Sequence, residues 1–175
     1  NALGDYLLGK GFTQEELLAA ALSAKGRKGG IYDQFRNRVM FPIIDVRGNV
    51  IGFGGRVMDD STPKYLNSPD TPVYNKSRNV FALNIAKNAK TEQVILTEGY
   101  MDTISLHQAG FSSAVASLGT SLTEEHGQLL ARYYKEAVIA YDGDGAGVKA
   151  AQRAIPILEK AGLTAPCPAS ACFER

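Results

Sequence analysis

The chain of 175 residues is expected to fold as an α/β protein, α+β overall, in which a small mixed subdomain precedes a parallel-sheet domain. Three observations predict this. Beyond residue 90, short apolar runs alternate with helical segments three times, the pattern of a parallel sheet closed by right-handed crossovers. Before residue 90, apolar runs are joined by turns containing Gly, Asn and Asp, the pattern of antiparallel hairpins. The charge divides at the same place: residues 1–90 hold 13 Lys and Arg against 8 Asp and Glu, and residues 91–175 hold 6 against 10.

In the first part, Thr13-Gln14-Glu15-Glu16 is a capping box that opens a helix running to about Leu22, with Gly26, Gly29 and Gly30 as its breakers. Residues 39–44 read as a strand. Pro42 has no amide to donate, which places that strand at a sheet edge or makes it a strand end. Residues 45–49, with Gly48, are the turn, and residues 50–54 the returning strand. Residues 62–72 carry three prolines and predict an ordered loop. In the second part, residues 93–97, 113–117 and 137–141 are buried-type strands. Between them lie a helix over residues 102–109, stopped at Gly110, and one capped by Thr123 that runs to about Tyr134. A last helix spans residues 146–161, with Pro156 as a point of kinking and Gly162 as its stop.

Composition bounds the function. At 45% hydrophobic and 21% charged the chain reads as globular, not disordered. No apolar run approaches the ~18 residues of a membrane helix, so no membrane association is expected. The start is neither basic nor followed by a long apolar stretch, which argues against a signal peptide, and beginning at Asn1 points to a fragment. Cys167 and Cys172 give neither a disulfide framework nor a four-ligand zinc site, which fits a cytoplasmic location. The net charge of +1 alone argues against a strongly basic nucleic-acid binder. Its division into +5 and −4 suits an enzyme that handles a polyanion with a metal, although a mixed surface varying by chance accounts for it equally well. The densest basic stretch holds Lys25, Arg27, Lys28, Arg36 and Arg38 against Asp33.

Open parallel sheets bind ligands at the carboxyl ends of their strands. Two such ends are acidic here: Glu98-Gly99-Tyr100-Met101-Asp102 after the first strand, and Asp142-Gly143-Asp144-Gly145-Ala146-Gly147 after the third. Glu98, Asp142 and Asp144 are therefore expected on one sheet edge, with Asp102 at the start of the next helix. Like charges this close need neutralising, and Mg²⁺, a hard ion held by carboxylates and substrate phosphates, is the natural candidate. A plain turn remains open. A calcium loop fits poorly, because its twelfth position, a bidentate Glu in such loops, is Arg153. His107 and His126 read as structural. Lys149 and Arg153 follow the acidic loop on a helix, within reach of phosphate.

These acidic blocks resemble the TOPRIM signature, and the chain from about Tyr6 to Gly162 resembles the DnaG-type bacterial primase family. The narrower likeness rests on the run from Tyr32 to Ile43 (Tyr-Asp-Gln-Phe-Arg-Asn-Arg-Val-Met-Phe-Pro-Ile), on Gly52-Phe53-Gly54-Gly55-Arg56, on Pro63-Lys64-Tyr65-Leu66-Asn67-Ser68-Pro69, and on Ser117-Leu118-Gly119-Thr120-Ser121. The resemblance implies that residues 1–90 are a basic subdomain of the RNA polymerase core and residues 91–162 a Rossmann-like TOPRIM domain, with residues 163–175 an atypical tail. It implies synthesis of short RNA primers on a single-stranded DNA template from ribonucleoside triphosphates. Mg²⁺ or Mn²⁺ would be held by Asp142 and Asp144, with Glu98 a metal ligand or general acid/base and Asp102 a supporting or direct ligand. Arg36, Arg38, Arg56, Lys64, Asn67 and Lys76 are implied as contacts to template or triphosphate. Tyr65 and Tyr100 are open to base stacking, with core packing the stronger reading.

The family's N-terminal zinc module has no counterpart here, so zinc is expected only outside this chain, as is the domain that binds the replicative helicase. After Gly162 the chain also lacks the family's third acidic motif, and the sequence there shows no strand pattern. The chain as given is thus expected to be weakly active or inactive. The acidic motifs alone leave open a TOPRIM nuclease or topoisomerase, or a non-catalytic nucleic-acid-binding module; the upstream blocks are what favour a primase.

Overall fold

The computed structural model describes residues 1–27 and 29–166; Lys28, Cys167, Cys172 and the remainder of the tail lie outside the described residues. The chain forms two compact units, one of Asn1–Ile43 and Val50–Asn75, the other of Ile44–Asn49 and the chain from Lys76 on.

The first unit opens with α1 (Ala2–Gly9), a helix of eight residues with no sequence signature of its own. It is held from a distance: the Asp33 carboxylate accepts the amides of Leu3 at 3.1 Å and Gly4 at 2.8 Å. These are amides that a first helical turn leaves without partners. Next, α2 (Gln14–Ala19) carries the expected capping box, in which Glu16 donates its amide to Thr13 and accepts the Thr13 amide. It ends before Leu22 because the chain there turns into β1 (Ser23–Lys25), which pairs antiparallel with β2 (Ile31–Asp33). Glycines expected only as breakers thus turn a hairpin, with the Gly26 amide bonded to the Gly30 carbonyl at 3.0 Å.

A three-stranded sheet follows in the order β3 (Arg38–Ile44), β4 (Val50–Val57), β5 (Tyr65–Asn67). β3 is an edge strand, as Pro42 requires. At the turn between β3 and β4, amide bonds from Asn49 and Arg47 to the Asp45 carboxylate pull its pKa down to about 2. The loop expected over residues 62–72 contains β5, antiparallel to β4 with Arg56 opposite Tyr65 and Gly54 opposite Asn67. Tertiary bonds override the prolines: the Arg38 guanidinium donates to the carbonyls of Pro63 at 2.8 Å and of Lys64 and Gly55 at 3.3 Å each.

The second unit holds a 3-10 turn (Lys76–Arg78), α3 (Leu83–Ala86), β6 (Gln93–Thr97), α4 (Tyr100–Gln108), β7 (Ala114–Ala116), α5 (Glu124–Leu130), β8 (Glu136–Ala140) and α6 (Gly145–Lys160). The strands form a parallel sheet in the order β7-β6-β8. Its core gathers Val94, Leu96, Val115, Leu130, Ile139 and Leu158, all but Ile139 fully enclosed. Each such side chain contributes roughly 1.5–3 kcal/mol by leaving water. The buried face of α6 repeats at Gly147, Ala151, Ala154 and Leu158, a helical stripe of mainly small residues, and the helix runs unbroken through Pro156.

Past Gly162 no further strand forms among the described residues, yet the chain there still bonds the edge of the sheet. Thr164 forms a parallel bridge with Glu136, giving its amide to the Lys135 carbonyl and accepting the Ala137 amide, each at 2.8 Å. The exposed backbone of the β8 edge supplies partners that composition cannot announce. Among the described residues, no helix is long and apolar enough to cross a membrane.

Candidate active site

The order β7-β6-β8 makes β6 the strand at which the chain switches from one side of the sheet to the other, and ligands bind open α/β sheets at such a point. The register sets what stands there. Thr97 is level with Ala140, so Glu98 is level with Tyr141 and Asp142 follows one residue on. The Asp142 amide accordingly donates to Glu98 Oε1 at 3.0 Å. Behind Glu98, a buried hydroxyl pair fixes the strand end: Thr97 Oγ1 lies 2.7 Å from Thr103 Oγ1 and also bonds the Val115 and Gly99 carbonyls.

Asp144 is the N-cap of α6. Its Oδ1 accepts the amides of Ala146 at 3.0 Å and Gly147 at 2.8 Å. Gly147 permits the whole arrangement, because a Cβ there would stand 2.1 Å from the Asp142 carbonyl oxygen and 2.6 Å from Glu98 Oε1. Asp142 is exposed, and Asp102 sits in the first turn of α4, its Oδ2 beside the Gly99 N-cap. The structure thus joins Glu98 to Asp142 and turns Asp144 onto the helix end. Among the described residues, no three acidic or other ligating side chains gather closely enough to hold a metal by themselves. The donors still fit Mg²⁺: all are hard carboxylate oxygens, in a cradle that a single methyl group would fill. Such an ion is commonly held by one or two carboxylates with substrate phosphates.

Sequence reasoning missed Tyr141. Burial, and secondarily the Glu98 charge, push its phenol up to about 12, so it stays protonated beside the carboxylate. It also missed a cavity of about 180 Å³ between Glu98, the loop after β7 and α6. Tyr141 carries no motif of its own, and although the Ser117–Ser121 block stands out in the sequence, its meeting with α6 around a cavity does not.

The basic candidates sort differently. Arg56, Tyr65 and Asn67 share one face of the β4–β5 pair, since directly opposed residues and their second neighbours point the same way. The Arg56 guanidinium lies 5.7 Å from the centre of the Tyr65 ring, and Tyr65 is exposed, against the expectation of core packing. Tyr100 is buried and packs on Phe81 at 5.5 Å, as core packing requires. Arg36 stacks on Tyr32 at 4.8 Å, and Lys64 is exposed at the start of β5. Arg38 is the exception, its guanidinium engaged by backbone carbonyls. Lys76 belongs to the second unit, where its carbonyl bonds His126 Nε2 at 2.8 Å.

Residues 1–87 match the family model of the DNA primase catalytic core, N-terminal domain, and residues 95–168 match a Toprim-like model. The DNA primase of Clostridium acetobutylicum is 52% identical over 159 residues, which are 90% of this chain and 26% of that protein. This chain belongs to the DnaG-type DNA primase family. It spans about a quarter of the length of the curated primases it matches. Among solved structures, the Aquifex aeolicus primase, comprising zinc-binding and RNA polymerase domains, superposes with a TM-score of 0.80 at 44% identity, over 86% of this chain and 38% of that one. A DnaG primase catalytic domain bound to single-stranded DNA gives 0.77 at 48% identity, over 83% and 48%. The mixed α/β fold with its parallel three-stranded sheet is that of the primase catalytic core.

Proposed function

We propose that this chain carries the working parts of a primase core, which makes short RNA primers on single-stranded DNA during replication. The single observation behind this reading is the contact of Glu98 with Asp142 at the strand-switch point of a chain matched to primases on both sides of residue 90. We assign residues 1–90 to the basic subdomain and residues 91–162 to the TOPRIM domain. The solved relative bound to single-stranded DNA supports a nucleic-acid partner.

The reaction is phosphoryl transfer from a ribonucleoside triphosphate. The primer 3′ oxygen bonds to the α-phosphorus, the bond from that phosphorus to the β-bridging oxygen breaks, pyrophosphate leaves, and the hydroxyl proton passes to a base. Glu98, Asp142, Asp144 and Asp102 would hold Mg²⁺ or Mn²⁺, which supplies charge neutralisation for the attacking and leaving oxygens. In this reading Glu98, whose Oε1 accepts the Asp142 amide, also takes the proton. Tyr141, kept neutral, offers a donor beside it without adding charge. Arg36, Arg56, Lys64, Asn67 and Lys76 contact phosphate or triphosphate oxygens, while Arg38 serves indirectly by fixing the Pro63–Lys64 segment.

The test is template-directed, Mg²⁺-dependent ribonucleotide incorporation by the wild type and by Glu98→Gln, with a parallel assay for cleavage of supercoiled DNA in the absence of nucleotides. Incorporation that falls at least about 100-fold in the variant is expected. Cleavage without incorporation would instead assign a nuclease or topoisomerase activity.

A further inference from the structure

The cavity beside Glu98 is not used by the chemistry above. It is bounded by Glu98 at the end of β6, Tyr141 at the end of β8, Ser117, Thr120 and Ser121 in the loop after β7, and Arg153 on α6. Three features give it a ligand class. First, size: about 180 Å³ is roughly the space of six waters. It is well below the 300 Å³ or so at which pockets begin to take ligands of nucleoside size. Second, charge: Arg153 makes no ion pair among the described residues, so its guanidinium is available to an anion. Third, donors: the wall presents three aliphatic hydroxyls and one phenol, and Thr120 Oγ1 is enclosed without a partner. An enclosed hydroxyl is seldom left unbonded, so Thr120 Oγ1 has a hydrogen bond to give to an oxyanion in the cavity.

A guanidinium with clustered hydroxyls is oxyanion chemistry. Glu98 on the rim discriminates further, because it repels a bare anion and accepts one that arrives with a divalent cation. We propose that this cavity is a diphosphate subsite, which receives the pyrophosphate released as each nucleotide is added, with Arg153 and Thr120 as its principal contacts. This rests on the reading of Glu98 and Asp142 as a metal-holding pair for phosphoryl transfer. On α6 the wall of the subsite is formed by Ala150, Arg153 and Ala154.

The test is direct binding of inorganic pyrophosphate to the whole chain, by calorimetry in MgCl₂ without nucleotides. Inorganic phosphate serves as competitor, and Mn²⁺ binding is followed separately by electron paramagnetic resonance. Arg153 is exposed, so Arg153→Gln leaves folding intact; Thr120→Val supplies a second, independent variant. One-to-one binding is expected, weakened at least tenfold by Arg153→Gln, several-fold by Thr120→Val, and less than twofold by Arg132→Gln, an exposed arginine outside the cavity wall. Inorganic phosphate is expected to compete at least tenfold less well. Equal losses for Arg153→Gln and Arg132→Gln, no loss for Arg153→Gln, or phosphate binding as tightly as pyrophosphate would each overturn the proposal. If Mn²⁺ binds in an Asp142-dependent way while Arg153→Gln changes nothing, the subsite fails and the metal pair stands. If Mn²⁺ does not bind but Arg153→Gln still weakens pyrophosphate, the metal pair fails and the subsite stands.

Discussion

At Gly147, any side chain has to displace either the Asp142 carbonyl or the Glu98 carboxylate, because even a methyl carbon falls 2.1 Å from the former. Gly143 and Gly145, in the same loop, have nothing within 4 Å of where a Cβ would lie. Gly147→Ala is therefore expected to lower nucleotide incorporation by about 100-fold, the effect of an ångström-scale misplacement. Gly143→Ala and Gly145→Ala should stay within a few-fold; incorporation assays with circular dichroism as a folding control read the difference. Asp144 separates structure from chemistry in another way. Its carboxylate caps α6 and is also a proposed ligand. Asparagine caps as well as aspartate does, so Asp144→Asn should leave the urea midpoint nearly unchanged, whereas Asp144→Ala costs about 1 kcal/mol. Both should lose turnover.

Among the elements, α5 has an unusual start. Thr123 accepts the His126 amide, and His126 Nδ1 accepts the Thr123 amide at 3.2 Å, a capping box with histidine in the place usually taken by Glu or Gln. The other ring nitrogen donates to the Lys76 carbonyl at 2.8 Å, tying the helix to the 3-10 turn. The ring is thus neutral, and burial holds its pKa below the usual 6.5. A depressed folded-state pKa means that the stabilisation is complete above pH 6.5 and is lost as pH falls from there through the folded-state value. Urea midpoints of the wild type should fall between pH 7.5 and pH 5, and His126→Gln should flatten that dependence. Elements like this, capped by neighbours three residues away, were legible in the sequence, as were the strand–helix alternation and the acidic strand ends. The elements α1, β1, β2 and β5 were not, because their partners are distant: Asp33 for α1 and the Arg38 guanidinium for the approach to β5. The Ser117–Ser121 block and Arg153 stood out in the sequence singly, but not that the loop after β7 and α6 enclose a cavity between them, which is a tertiary contact.

For the molecule as a whole, the division of charge is the property most open to measurement. If the basic subdomain holds the template, single-strand affinity should fall steeply between 50 and 200 mM salt. Arg36→Gln, Arg56→Gln and Lys64→Gln should each reduce the slope of log affinity against log salt by about 0.7. Asp142→Asn should leave that slope alone. The sequence made Arg36 and Arg38 look equivalent, two residues apart in one matching block, yet only one of them is free to meet a phosphate. Arg36 is exposed on Tyr32, while Arg38 gives its protons to three carbonyls. That difference predicts chemical reactivity. Phenylglyoxal should label Arg36 early and bound DNA should shield it, whereas Arg38 should react late, and its modification should release the segment before β5 to protease.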